Sequence, residues 1–93
     1  MPRTDDPQIG LAQAIRQLRK EGKLSQEALG LLAGIHPTWI SHLESGRVNP
    51  TWGNVRRIAK GLSVPLSVLA ARAEEIELEY GAAPQPGQGA GGQ

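Results

Sequence analysis

Residues 25–44 read Ser25-Gln-Glu-Ala-Leu-Gly-Leu-Leu-Ala-Gly-Ile-His-Pro-Thr-Trp-Ile-Ser-His-Leu-Glu44. Ser25 suits the N-cap of a short helix, because its hydroxyl can accept a hydrogen bond from a first-turn amide. The inward positions expected of that helix are Leu29 and Leu32. Gly34 follows, and glycine takes the left-handed conformation that turns a chain sharply between two helices. A second helix then begins near Pro37, carries Ile40 and Leu43 inward and meets Gly46 as its stop. Two helices crossing at about 90–120° through a turn of about three or four residues make a helix-turn-helix, and that geometry restricts particular positions. The close crossing falls at Gly30, where only a very small side chain fits, and the turn falls at Gly34. Leu29, Ala33, Ile35, Ile40 and Leu43 face the rest of the domain and are all apolar. Between them lie Gln26, Glu27, Thr38, Trp39, Ser41 and His42, which leaves one face for packing and the other for a partner.

On the N-terminal side, Asp5-Asp6-Pro7 reads as a helix start, with carboxylates near the positive end of the helix dipole. Leu11, Ile15 and Leu18 follow as a helical stripe, so a first helix covers about residues 8 to 20 and Gly22 offers its C-terminal stop. On the C-terminal side, Thr51 can cap a fourth helix with Val55, Ile58, Ala59 and Leu62 inward, ending near Gly61. Trp52, at its start, is expected to pack. After Pro65, Leu66, Leu69, Ala73, Ile76 and Tyr80 recur at alternating spacings of three and four, which draws a narrow apolar seam along a fifth helix. From Gly81 the chain carries no charge, no large apolar side chain and no period, so it cannot offset its ordering entropy. No segment alternates with period two. The expected fold is therefore all-α, five helices joined by short connections, with the helix-turn-helix at helices 2 and 3. Residues 1–7 form a short arm, 8–80 the domain, and 81–93 a disordered Gly/Pro/Gln-rich tail.

Ninety-three residues support a single core. There is no cysteine, so disulfides and thiolate metal sites are excluded. No apolar run approaches the ~20 residues needed to span a bilayer, and the start lacks a secretory signal, so a cytoplasmic protein with no membrane association is expected. The net charge of +1 conceals a division along the chain. Residues 9 to 72 carry nine Lys and Arg against three Glu, whereas Glu74, Glu75, Glu77 and Glu79 make the C-terminal segment acidic. A basic body of this kind suits a polyanion. No nucleophile, base and orienting group occur together and no glycine loop cradles a phosphate, so no enzyme is expected, nor any cofactor. His36 and His42 fall on different faces of a helix with no acid or cysteine to complete a set, so no metal is expected.

Four blocks carry a resemblance: Ile15-Arg-Gln-Leu-Arg19, Leu24-Ser-Gln-Glu-Ala-Leu29, Trp39-Ile-Ser-His-Leu-Glu-Ser-Gly46 and Asn49-Pro50. Together they resemble the Cro and phage-repressor class of regulators, the XRE family, over about residues 9 to 70, and the fold this implies is that of the lambda-repressor DNA-binding domain. The resemblance implies a sequence-specific DNA-binding transcriptional regulator that reads the major groove with helix 3, about residues 37–45. It matches Gln26 to a glutamine that bonds a DNA phosphate, helped by amides at that helix N-terminus. It matches His36, Pro37, Thr38, Trp39, Ser41 and His42 to the surface facing base edges and nearby phosphates, and Arg47 to a grip on the backbone. It matches Arg19 and Glu44 to an ion pair that ties helix 1 to the end of the reading helix.

Pro37 departs from that pattern, since relatives often place a polar or basic base-reading residue there and proline has neither a side-chain donor nor an amide hydrogen. Base readout is therefore expected from Thr38 and His42, with Trp39 exposed and stacking along sugar-phosphate or thymine methyl groups. Specificity is modest on this reading, or rests on DNA shape. Arg56, Arg57 and Lys60 fit phosphate contacts and an ordinary solvated face equally well. The partner expected is a pseudo-palindromic double-stranded operator bound by a homodimer, a repressor or autoregulator, with Leu69, Ala73, Ile76 and Tyr80 as the dimer seam. Two alternatives stay open. One is a protein-contact module of the same fold that binds a protein partner through helix 5. The other is a restriction-modification controller protein, which has a similar size and a similar His-x-Thr-aromatic-Ile-Ser stretch.

Overall fold

The computed structural model describes residues 8–82, with side-chain surroundings over residues 8–79. Five α-helices follow in order: α1 (Ile9–Glu21), α2 (Gln26–Ala33), α3 (Pro37–Glu44), α4 (Trp52–Gly61) and α5 (Leu66–Ala82), with no strand among the described residues. The all-α expectation holds. Asp5, Asp6 and Pro7, the side chain of Tyr80, and the tail from residue 83 lie outside what is described. Helix α5 itself runs past the compositional break at Gly81 to Ala82. None of the described helices is long and apolar enough to cross a membrane.

Each helix contributes one completely buried large side chain to a common centre: Ile15, Leu29, Ile40, Ile58 and Leu69. Around them pack Ala14, Leu18, Leu43, Ala59, Leu62, Ala73 and Ile76. Burying a side chain of this size contributes about 1.5–3 kcal/mol, and without a disulfide that packing must hold the domain. Local signals set the helix starts. Ser25 Oγ accepts from the Ala28 amide at 2.9 Å, and Thr51 Oγ1 accepts from the Asn54 amide at 3.1 Å. The start of α1 has no side-chain cap, because Gln8 stands at its N-cap.

Several expectations are corrected. Leu32, expected inward, is 59% exposed. At 3.6 residues per turn Ala33 and Gly30 extend the buried arc on one side of Leu29, while Leu32 falls about 60° to the other side. Trp52, expected to pack, is 66% exposed. By rotation it lies only about 20° from Ala59, on the rim of the arc held by Ile58, Ala59 and Leu62, but as the first residue of α4 it stands at the end of that arc rather than within it. The stop after α1 does not use glycine's freedom: Gly22 has φ −82°, and the left-handed residue is Lys23, φ 59°. At the end of α4 it is Ser63, φ 61°, that turns the chain. Gly61 serves α2 instead, since a Cβ there would stand 3.0 Å from Leu29 Cδ1 and 3.2 Å from Ala33.

The largest correction concerns the seam on α5. Leu69, Ala73 and Ile76, expected between two copies, are buried in the core of the same chain. The most extensive helix contact in the fold is that of α5 with α1. Its rim carries a clasp in which Arg72 donates to Glu21 at 2.7 Å and to Gln17 at 3.1 Å. A narrow stripe at three-four spacing is what one helix presents to another, whether or not the two belong to one chain.

Candidate nucleic-acid interface

Three residues, Gly34, Ile35 and His36, separate α2 from α3. Gly34 is left-handed at φ 72°, and its amide and that of Ile35 both donate to Gly30 O, which closes α2. Gly30 sits at the crossing as expected. A Cβ there would stand 2.5 Å from Ile35 O and 3.3 Å from Pro37 N, both backbone atoms that cannot swing aside. The absence of a side chain at this one position sets how closely α3 can cross α2.

Packing fixes the rotation of α3 about its own axis. Ile40 and Leu43 are buried, so Thr38, Ser41 and His42 are exposed on the opposite side. His36 and Arg47 are exposed at the two ends of this face. Pro37 is half-buried against the turn. Trp39, expected to be exposed, is half-buried and packs against the core cluster. It flanks the inward Ile40, and an indole is large enough to reach the core from the side of the helix.

An ion-pair network ties the face to the body. Arg19 Nε donates to Glu44 Oε2 at 2.6 Å and Arg19 Nη2 to Glu44 Oε1 at 3.0 Å, a bidentate fork between α1 and the end of α3. Arg19 Nη1 donates to Leu24 O at 2.8 Å. The side chains of Arg19 and Glu44 are 11% and 4% exposed, and the carboxylate's hydrogen bonds push the Arg19 pKa above its ordinary value. Gln26, half-buried at the first position of α2, joins the same carboxylate, its Nε2 donating to Glu44 Oε1 at 3.1 Å. One of its amide hydrogens is thus held, which fixes where the other points. Past Glu44 the chain folds back on α3. Ser45 Oγ donates to His42 O at 2.7 Å, and the Arg47 amide donates to the same oxygen at 3.2 Å.

The structure adds a cation that the sequence reading left within the general basic body. Arg16 shares a shallow cleft with Gln26, Ser41, Glu44 and Ser45, so it stands beside the outer face of α3. The signal was present: Arg16 lies one helical turn before Arg19 and so projects on its side of α1. Arg56, Arg57 and Lys60 line a different, open groove with Val64 and Leu66, below α4. Among the described residues no three His, Asp or Glu side chains converge on one point.

The family model for the helix-turn-helix domain matches residues 11–72, which span α1 to the middle of α5. The chain belongs to the helix-turn-helix family. Among curated proteins, this helix-turn-helix chain is similar to control protein C.BamHI of Bacillus amyloliquefaciens, 34% identical over 62 residues, or 66% of this chain and 76% of the relative. Among solved structures it is similar to the restriction-modification controller protein C.AhdI from Aeromonas hydrophila. That likeness has a TM-score of 0.65 and 29% identity, and covers 67% of this chain and 94% of the other. It is also similar to the wild-type restriction-modification controller protein C.Esp1396I, with a TM-score of 0.73 and 26% identity over 77% of this chain and 94% of the other.

Proposed function

We propose that this helix-turn-helix protein, a DNA-binding transcriptional regulator, sets α3 in the major groove of an operator and acts as a restriction-modification controller. The observation that carries the reading is the division of α3 by packing. Ile40 and Leu43 are anchored in the core, while Thr38, Ser41 and His42 stand exposed beside a cleft that holds Gln26 and Arg16. Thr38 and His42 read base edges, and Trp39, held against the core, contributes a rigid indole edge to sugar or thymine methyl. Gln26, Arg16, Ser41 and Arg47 bond phosphates on either side and set the register. Proteins similar to this one are named control or controller proteins, which favours a regulatory role over a catalytic one.

One such module contacts few base pairs, so we assign the functional unit to a homodimer on two half-sites about 34 Å apart. The core residues of α5 are committed within the chain. Among the described residues, the large apolar side chains that α5 leaves exposed, Val68 and Leu78, are available to a second copy. The cytoplasm is the compartment in which such a regulator meets its DNA.

Selection of bound fragments from a random duplex pool tests the whole reading, with Gln26→Ala and His42→Ala measured on the winners. Gln26→Ala is expected to weaken binding across sequences, and His42→Ala to change base preference by about 1–3 kcal/mol at one position. Unchanged affinity and preference in both variants would transfer the fold to a protein-contact role.

A further inference from the structure

The start of α3 is unusual in how its amides are satisfied. Pro37, at the first helical position, has no N–H. The Thr38 amide donates to Nδ1 of the His36 ring at 3.1 Å. The Trp39 and Ile40 amides donate to His36 O at 2.9 and 3.2 Å. His36, at the N-cap with φ −59° and ψ 138°, therefore takes up every amide hydrogen that the first turn of α3 possesses. An ordinary helix N-terminus offers such hydrogens to an incoming anion, and α2 keeps that pattern, since Ser25 caps only the Ala28 amide with its side chain.

An acceptor must carry no proton. With Nδ1 accepting from Thr38, the proton of the neutral imidazole sits on Nε2, and both the ring's tautomer and its orientation are fixed by the helix it caps. The ring is exposed. A DNA oxygen or nitrogen approaching the end of α3 then meets no free backbone amide; beside the Thr38 hydroxyl it meets the Nε2–H of this ring.

We propose that His36 is a positioning residue that replaces the amides of the reading helix with one fixed side-chain donor, its Nε2–H, directed at an acceptor on DNA. This inference rests on the DNA reading above and narrows it. His36 and His42, both matched to the DNA-facing surface, take different parts. His42 lies in the last turn of α3 and caps nothing, so only His36 is tautomer-locked before DNA arrives.

The test uses the full chain, labelled with ¹⁵N at histidine, and the duplexes retained from the random pool. Two-bond ¹H–¹⁵N spectra of the free protein are expected to show that the neutral His36 ring carries its proton on Nε2, and the retained duplex to shift that Nε2 resonance. His36→Ser keeps a neutral capping oxygen but has no group that reaches as far. It is expected to melt close to the wild type yet bind the duplex about tenfold more weakly, the loss of one good hydrogen bond. His36→Ala is expected to lose both melting temperature and affinity. A free protein with His36 protonated on Nδ1, or a serine variant that binds as tightly as the wild type, overturns the inference while leaving the DNA reading in place. A wild-type chain that retains no duplex overturns both together.

Discussion

At the residue scale the Glu44 carboxylate matters most, because one nearly buried group holds three donors from α1 and α2: Arg19 Nε, Arg19 Nη2 and Gln26 Nε2. Replacing a buried ion pair by apolar groups is often neutral, but removing one partner strands the other. Glu44→Ala is therefore expected to cost about 3 kcal/mol in urea unfolding, the low end for breaking a buried pair because Arg19 is not fully enclosed. It should also weaken DNA binding beyond what the unfolded fraction explains, because Gln26 loses the acceptor that orients it. An effect on stability alone would separate the network from function. The Arg72–Glu21 clasp makes a different prediction, in pH. The Arg72 hydrogen bonds hold the exposed Glu21 carboxyl below its ordinary value of 4.5. A carboxyl depressed in the folded state stabilises above its unfolded value and loses that contribution as pH falls through the folded one. The wild type should lose stability on acidification below about 4.5 more steeply than Glu21→Gln, read as melting temperature against pH. Parallel curves would assign the clasp no role in solution. Arg19, its pKa raised further by the Glu44 hydrogen bonds, stays charged across this range.

At the scale of elements, the crossing of α2 and α3 was legible because it demands a residue type. Gly30 and Gly34 are required by a backbone 2.5 Å from the missing Cβ and by a φ of 72°. Gly30→Ala is expected to cost more than about 2 kcal/mol, measured by chemical unfolding, since backbone must move to admit the methyl group. An alanine variant of wild-type stability would mean that α3 can pivot, and with it the exposed face of Thr38, Ser41 and His42. Other element boundaries were read less well. Gly22 and Gly61 look like stops, yet Lys23 and Ser63 take the left-handed conformation. Only the contact of Gly61 with Leu29 and Ala33 explains why a glycine stands there. His36 shows the same limit: histidine is not a strong capping residue by type, and its role appears once the ring is seen 3.1 Å from the Thr38 amide.

At the scale of the whole molecule, the fate of α5 decides what an assembly can use. Leu69→Ala is expected to cost about 2–5 kcal/mol as a core cavity, whatever the oligomeric state. Leu78, 73% exposed, contributes little to the chain's own fold. Leu78→Asp should leave the unfolding free energy of the separated chain nearly unchanged while shifting light scattering toward monomer and weakening operator binding. Unaltered self-association in that variant would place the contact between copies elsewhere.

Periodicity, capping residues and glycine positions determined the five helices, the helix-turn-helix and the polar composition of α3, because each depends on residues within a few positions of one another. Only the tertiary structure decided which apolar stripe met which. The seam of α5 is as suited to a second copy as to α1, and no local property distinguishes the two. Chain connectivity does, by holding α1 at high effective concentration beside α5. The same holds for Arg16, which joins the cleft beside Gln26 and Ser41 only when α1 is laid against the end of α3.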